Sequence, residues 1–225
     1  MADWACYIDE PHYQDPEVAV ADGYSDIPLP PGALTLLAVD TAALERLDPG
    51  RPLRRSWRAV RPVVIGEELH LTVSVGDGSV TGRFRTAGGD EIVEEQFGYA
   101  DELAATRGTP VFRTGVIDLT RRRALAWSAS QFRPGGAWSW GNAPMVADDL
   151  CWRLIAPGLL VARAALSGPG AARRISGIHV VAAAGPPVTA QPLVVETQGA
   201  PAERTWVVLA GDEPVARVTV ELTGQ

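Results

Sequence analysis

Two short stretches decide the fold, Pro30-Pro31-Gly32-Ala33-Leu34 and Ile155-Ala156-Pro157-Gly158-Leu159-Leu160. Each sets a Pro-Gly pair ahead of an apolar run of helical character. The first run is Leu34, Leu36, Leu37 and Ala38; the second is Leu160, Val161, Ala164 and Leu166. Proline suits a first helical turn, where its missing N–H would go unbonded anyway. About thirty residues further on, Pro62-Val63-Val64-Ile65-Gly66-Glu67-Glu68-Leu69 and Pro187-Val188-Thr189-Ala190-Gln191-Pro192-Leu193 introduce alternating strands, 70–75 and 194–197. Each half closes with a strand, an Ala-Gly turn and a second strand: 82–86, 87–91 and 92–97, then 205–209, 210–213 and 215–222. Order, spacing and turn chemistry agree at four landmarks, so the chain reads as a duplication.

The Gly-Gly-Asp and Gly-Asp-Glu turns supply the positive-φ positions a tight hairpin needs. Strand alternation gives each sheet one dry face and one wet face. One apolar helix and one such sheet per half predict that the sheet curls around the helix, and two units side by side bury the sheet edges between them. The fold class is therefore α+β. The halves are expected at 1–100 and 115–225, joined by an aperiodic linker at 101–114.

Composition narrows the function. The 225 residues carry a formal charge of −7, which disfavours nucleic acid and anionic membrane as partners. All twenty basic residues are arginine, which excludes Schiff-base and P-loop lysine chemistry. Cys6 and Cys151 are too few for a disulfide framework, and together with three scattered histidines they offer no metal-ligand spacing. With no signal peptide and no apolar run of ~20 residues, a reduced, cytoplasmic protein is expected.

The layout resembles the double hotdog fold, two tandem antiparallel sheets each wrapped around a central helix. More specifically, it is similar to the MaoC-like hydratase/dehydratase family. The run Asp15-Pro16-Glu17-Val18-Ala19-Val20-Ala21-Asp22-Gly23-Tyr24-Ser25-Asp26-Ile27-Pro28-Leu29-Pro30-Pro31 resembles that family's N-terminal domain. There an acidic residue, a small-residue helix and Gly-Tyr precede the Pro-Pro that opens the central helix. In the second half, 156–160 resembles the family's small-x-Gly-Met/Leu-Leu helix start. The resemblance implies an acyl thioester substrate, carried on CoA or on the phosphopantetheine of an acyl carrier protein, and no further cofactor.

A helix start leaves backbone N–H groups unbonded and favours negative charge. A thioester carbonyl aimed at Gly32 or Gly158 would find an oxyanion donor there, although a Pro-Gly pair also serves simply to start a helix. Family members that hydrate enoyl thioesters carry Gly-Asp-x-Asn-Pro-x-His, whose aspartate and histidine do the acid–base work. Here the matching stretch is Ala129-Ser130-Gln131-Phe132-Arg133-Pro134-Gly135-Gly136, with Gln131 at the aspartate position and Gly136 at the histidine position. Gln131 stays a substrate-binding candidate, but the usual dyad is missing.

The first half offers a substitute in Tyr7-Ile8-Asp9-Glu10-Pro11-His12-Tyr13-Gln14-Asp15. Strict register puts Ile8 and Tyr13 at the two catalytic positions, with Asp9 and His12 one residue away. These two are acid–base candidates, or else polar residues of a surface loop. Asp40, eight residues after Gly32, is a second catalytic candidate as nucleophile or base; the alternative is a solvated helix end. Trp127, Phe132, Trp138, Trp140 and Trp152 cluster, and Trp138 and Trp140 either line a pocket or pack between the halves. Arg54-Arg55 and Arg121-Arg122-Arg123 read as solvated faces, or as contacts for the phosphates of CoA. His70 and His179 fall in strand patterns that require no role.

The expected function is an acyl-thioester enzyme. It would catalyse addition or elimination at the α,β bond, or a derived cyclisation or conjugate addition in a polyketide-type pathway. The alternatives are a hotdog thioesterase and a non-catalytic subunit that binds acyl chains or scaffolds an active hydratase. Two sheets already paired within one chain permit a homodimer without requiring one.

Overall fold

The computed structural model describes residues 11–29, 47–48, 50–101, 112–113, 154, 157–158, 161, 174–184, 193–197 and 205–223. Nine strands account for most of them: β1 Leu53–Ala59, β2 Leu69–Gly76, β3 Ser79–Thr86, β4 Glu91–Tyr99, β5 Phe112–Arg113, β6 Arg174–Ala182, β7 Leu193–Thr197, β8 Thr205–Ala210 and β9 Glu213–Thr223. They form one antiparallel sheet in the order β2-β3-β4-β1-β6-β9-β8-β7-β5. Outward from the centre, β1-β4-β3-β2 is repeated as β6-β9-β8-β7, so the duplication is laid out in space. The two half-sheets of the double hotdog are joined edge to edge along β1 and β6, from Leu53 opposite Ala182 to Arg58 opposite Gly177. Pairing the two innermost edges satisfies backbone groups that would otherwise invite association.

The expected hairpins are present. Gly89 and Gly211 take φ of 93° and 60° in the β3–β4 and β8–β9 turns, a region open to glycine at little strain. Phe112 and Arg113, inside the stretch read as the linker, pair with Thr197 and Glu196 and lengthen the second half's edge.

One face of the sheet is apolar. Leu53, Trp57, Phe97, Ile178, Val180 and Val218 are buried on it, each worth ~1.5–3 kcal/mol of hydrophobic stabilisation. Leu154, Pro157, Gly158 and Val161 are helical and buried, spaced to put one helical face on the sheet. Helical conformation is already present at Leu154, three residues ahead of Pro157. The first half's expected central helix, after Gly32, lies outside the described residues apart from buried Leu47. Among the described residues no helix is long and apolar enough to cross a membrane.

Arg54 and Arg55 do not share one environment. Arg54 is exposed, but Arg55 is buried. The reason is strand alternation: Leu53, Arg55 and Trp57 share the inner face of β1, and Arg54, Ser56 and Arg58 the outer.

Candidate active site

His12 lies in a 3-10 turn, Pro11–Tyr13, just ahead of the helix α1, Pro16–Ala21. Asp15 caps α1, its Oδ1 accepting from the amides of Glu17 at 2.8 Å and Val18 at 3.4 Å. So short a helix brings the residue after it back over the turn before it. Asp22 Oδ2 lies 3.1 Å from His12 Nδ1. An ionised carboxylate only accepts, so a neutral His12 donates from Nδ1 and keeps its lone pair on Nε2. That nitrogen is buried and, among the described residues, has no hydrogen-bond partner.

Aromatic rings enclose the imidazole, with centroids 4.1 Å away for Tyr13 and 5.3 Å for Tyr24. Arg174, the first residue of β6, holds the assembly from the second half. Its guanidinium lies 4.5 Å from the Tyr24 ring centroid and donates to the carbonyls of Asp22 at 3.4 Å and Gly23 at 3.3 Å. Burial pushes the Tyr24 phenol above its ordinary range, against the opposing pull of Arg174. Tyr24 is therefore a neutral hydroxyl at physiological pH.

A second polar group sits within the apolar face. Arg55 Nε donates to Glu95 Oε1 at 2.6 Å, and each residue is 1% exposed. Trp57, directly opposite Glu95 in the β1–β4 pairing, has a buried indole N–H with no hydrogen-bond partner among the described residues. Gly158 rests against this group. A Cβ there would lie 2.9 Å from Ile178 Cγ2, 3.1 Å from Val180 Cγ2 and 3.3 Å from an Arg55 terminal nitrogen. Glycine thus lets the helical backbone lie directly on β6 and on the guanidinium.

Of the sequence candidates, the structure describes His12 and Gly158. Asp9, Gly32, Asp40, Gln131, Trp138 and Trp140 lie outside the described residues, as does 121–123. No described contact joins His12 to Gly158, but β6 serves both, Arg174 bracing the dyad while Ile178 and Val180 support the glycine. Four residues of strand from Arg174 to Ile178 span roughly 13 Å. Sequence reasoning passed over Asp22 and Glu95, and read Arg55 as solvated or as a contact for the phosphates of CoA. Asp22 gave no local signal, since only the fold-back of α1 brings it to His12. Arg55 was detectable by its period-2 spacing with Leu53 and Trp57. Among the described residues no group of three or more His, Cys, Asp or Glu converges as metal ligands would.

No protein-family model matches the sequence, and no curated protein matches it. Solved structures do share its fold. Two structures of HtdX from Mycobacterium tuberculosis match over nearly the full length. One has a TM-score of 0.54 at 11% identity, covering 98% of this chain and 95% of that one. The other has a TM-score of 0.50 at 16% identity, covering 97% and 94%. A MaoC-like dehydratase from Phytophthora capsici gives a TM-score of 0.47 at 14% identity, covering 79% of this chain and 74% of that one. Peroxisomal multifunctional enzyme type 2 from Drosophila melanogaster gives 0.47 at 16% identity over 76% of this chain, which spans 36% of the enzyme's length. The likeness is one of architecture, the hotdog fold.

Proposed function

We propose that the chain acts on an acyl thioester, carried on CoA or on the phosphopantetheine arm of an acyl carrier protein, and catalyses addition or elimination across its α,β bond. The observation that supports this reading is the His12–Asp22 pair: an imidazole held through Nδ1, its Nε2 buried and unengaged among the described residues. In elimination Nε2 removes the α-proton, and the same proton departs with the β-hydroxyl as water. Addition reverses both steps. Asp22 holds the ring and stabilises the imidazolium that forms between them. In this reading the thioester oxygen lies by Gly158, where a backbone N–H left free to donate would stabilise its negative charge. An oxygen nucleophile within the acyl chain can replace water in the addition, so a cyclisation of polyketide type belongs to the same reading. Residues 1–100 and 115–225 are taken as its two hotdog units.

Purified full-length chain, offered enoyl-, 3-hydroxyacyl- and saturated acyl-CoA, tests the proposal by enoyl absorbance and thiol release. Interconversion of the first two is expected, falling about a hundredfold in His12→Gln and in Asp22→Asn. Turnover unaffected by either substitution removes the dyad from the mechanism. Thiol release alone identifies a thioesterase, and no turnover of any thioester supports a binding subunit; either result overturns the reading.

A further inference from the structure

The outer face of the sheet carries a second set of reactive side chains, on the side away from Gly158. Ser56 of β1 and His179 of β6 are opposite residues in the seam between the half-sheets. Ser56 Oγ lies 2.9 Å from His179 Nδ1, and His179 Nε2 lies 3.0 Å from Glu221 Oε1 on β9. Three adjacent strands thus contribute one hydroxyl, one imidazole and one carboxylate in a hydrogen-bonded line.

The arrangement is built into the backbone. Glu221 is opposite Gly177 in the β6–β9 pairing, and Arg58 is opposite Gly177 in the β1–β6 pairing. A Cβ on Gly177 would lie 2.6 Å from Glu221 Oε2. Glycine at this one strand position lets the carboxylate lie across β6, where it meets His179 and, at 3.3 Å, the Arg58 guanidinium. Burial acts to raise the Glu221 pKa, but the hydrogen bond from His179 and the neighbouring Arg58 guanidinium outweigh it and hold the carboxyl below its ordinary range.

An ionised Glu221 can only accept, so a neutral His179 beside it carries its hydrogen on Nε2 and presents a lone pair at Nδ1. The only hydrogen Ser56 Oγ can place on that lone pair is its own. Nucleophile, base and orienting carboxylate then stand in the relation that activates a serine, with the two imidazole nitrogens in exchanged roles relative to the familiar protease arrangement. The group is open to solvent: side-chain exposure is 26% for His179, 43% for Glu221 and 63% for Arg58. Strand alternation puts Arg54 and Arg58 on either side of Ser56 on this face.

We propose that Ser56 is an activated nucleophile, the centre of an esterase-type site for small activated esters that carry a negative charge near the carbonyl. Ser56 Oγ attacks the carbonyl carbon and passes its proton to His179 Nδ1. The ester C–O bond breaks, and the alcohol leaves with that proton. Water then attacks the acyl-serine, its proton relayed through His179, releasing the carboxylic acid and restoring the hydroxyl. Arg54 and Arg58 select the anionic substrate. Ser56 and His179 are the catalytic residues; Glu221 is a positioning residue acting through His179.

A fluorophosphonate probe on the full-length chain tests this, with peptide mass mapping to locate the adduct. One adduct is expected, on Ser56, absent in Ser56→Ala and formed about a hundredfold more slowly in His179→Gln. Glu221→Gln is expected to slow labelling and Glu221→Asp to restore part of the rate, a pattern that loss of packing alone would not give. A monoester of succinate with p-nitrophenol should turn over about tenfold faster than p-nitrophenyl butyrate, because the arginines attract its carboxylate. An unlabelled Ser56 overturns the proposal, as does labelling at the wild-type rate in His179→Gln. Equal turnover of the two esters overturns the anionic substrate class. His12→Gln should label at the wild-type rate, so this site and the thioester reading fail separately.

Discussion

A guanidinium almost wholly removed from water is tolerable only beside its counter-ion, and Arg55 has Glu95 at 2.6 Å. The pair is more a constraint than a gain, because desolvating two charges offsets much of their attraction. Removing one partner strands the other. Glu95→Ala should therefore destabilise the fold by about 3–5 kcal/mol, read as a lower urea midpoint, whereas replacing both partners with Met or Leu should restore much of it. If Glu95→Ala melts like the wild type, the guanidinium has found another way to neutralise its charge. Arg55 also shows where residue-level reading fails. An arginine beside an arginine suggests water, and only the alternation of the strand reveals that the two face opposite ways. His12 stood out in the sequence as one residue away from the hydratase motif's histidine position. Its contact with Asp22 did not, because the two meet through three-dimensional closure of α1 and not through spacing along the chain.

At the scale of elements, the turns and hairpins were plain in the sequence because their chemistry is local: glycines at positive φ between alternating strands. The central strands were less plain, β6 showing only in the strand pattern around His179. In β1 the inward arginine breaks the apolar–polar alternation that marks a half-buried strand, and in β6 a bulge between Ile175 and Gly177 shifts it. The contact of helix on sheet is as demanding as the strands themselves. Gly158→Ala forces a methyl group to within 2.9 Å of Ile178 and 3.1 Å of Val180. It should lower stability by about 1–3 kcal/mol, measured by denaturant titration; an unchanged midpoint would show that the helix can lift off β6 freely. Between β1 and β2, Glu67 accepts hydrogen bonds from Arg61, which hold its carboxyl below the ordinary range against a smaller opposing effect of burial. A depressed folded pKa gives stability that is complete above the unfolded value of about 4.3 and is lost as pH falls through the folded one. Glu67→Gln should thus lose less stability than the wild type on acidification below about pH 4. Parallel acid profiles for the two proteins would contradict it.

At the scale of the whole molecule, the repeat in the sequence became a repeat in strand order, and the seam makes the two copies one sheet. Backbone hydrogen bonds between β1 and β6 couple the halves as tightly as strands are coupled within either. Thermal unfolding should therefore show one cooperative transition in calorimetry, with calorimetric and van't Hoff enthalpies in agreement. Two resolved transitions would mean that the seam is weaker than the halves it joins.

Arg174 carries the last consequence. It belongs to the second copy, yet it grips the carbonyls and the aromatic ring that frame a histidine of the first. One copy has become the brace and the other the tool. Neither half, expressed alone or exchanged for its twin, can reconstitute what the fused pair has divided between them.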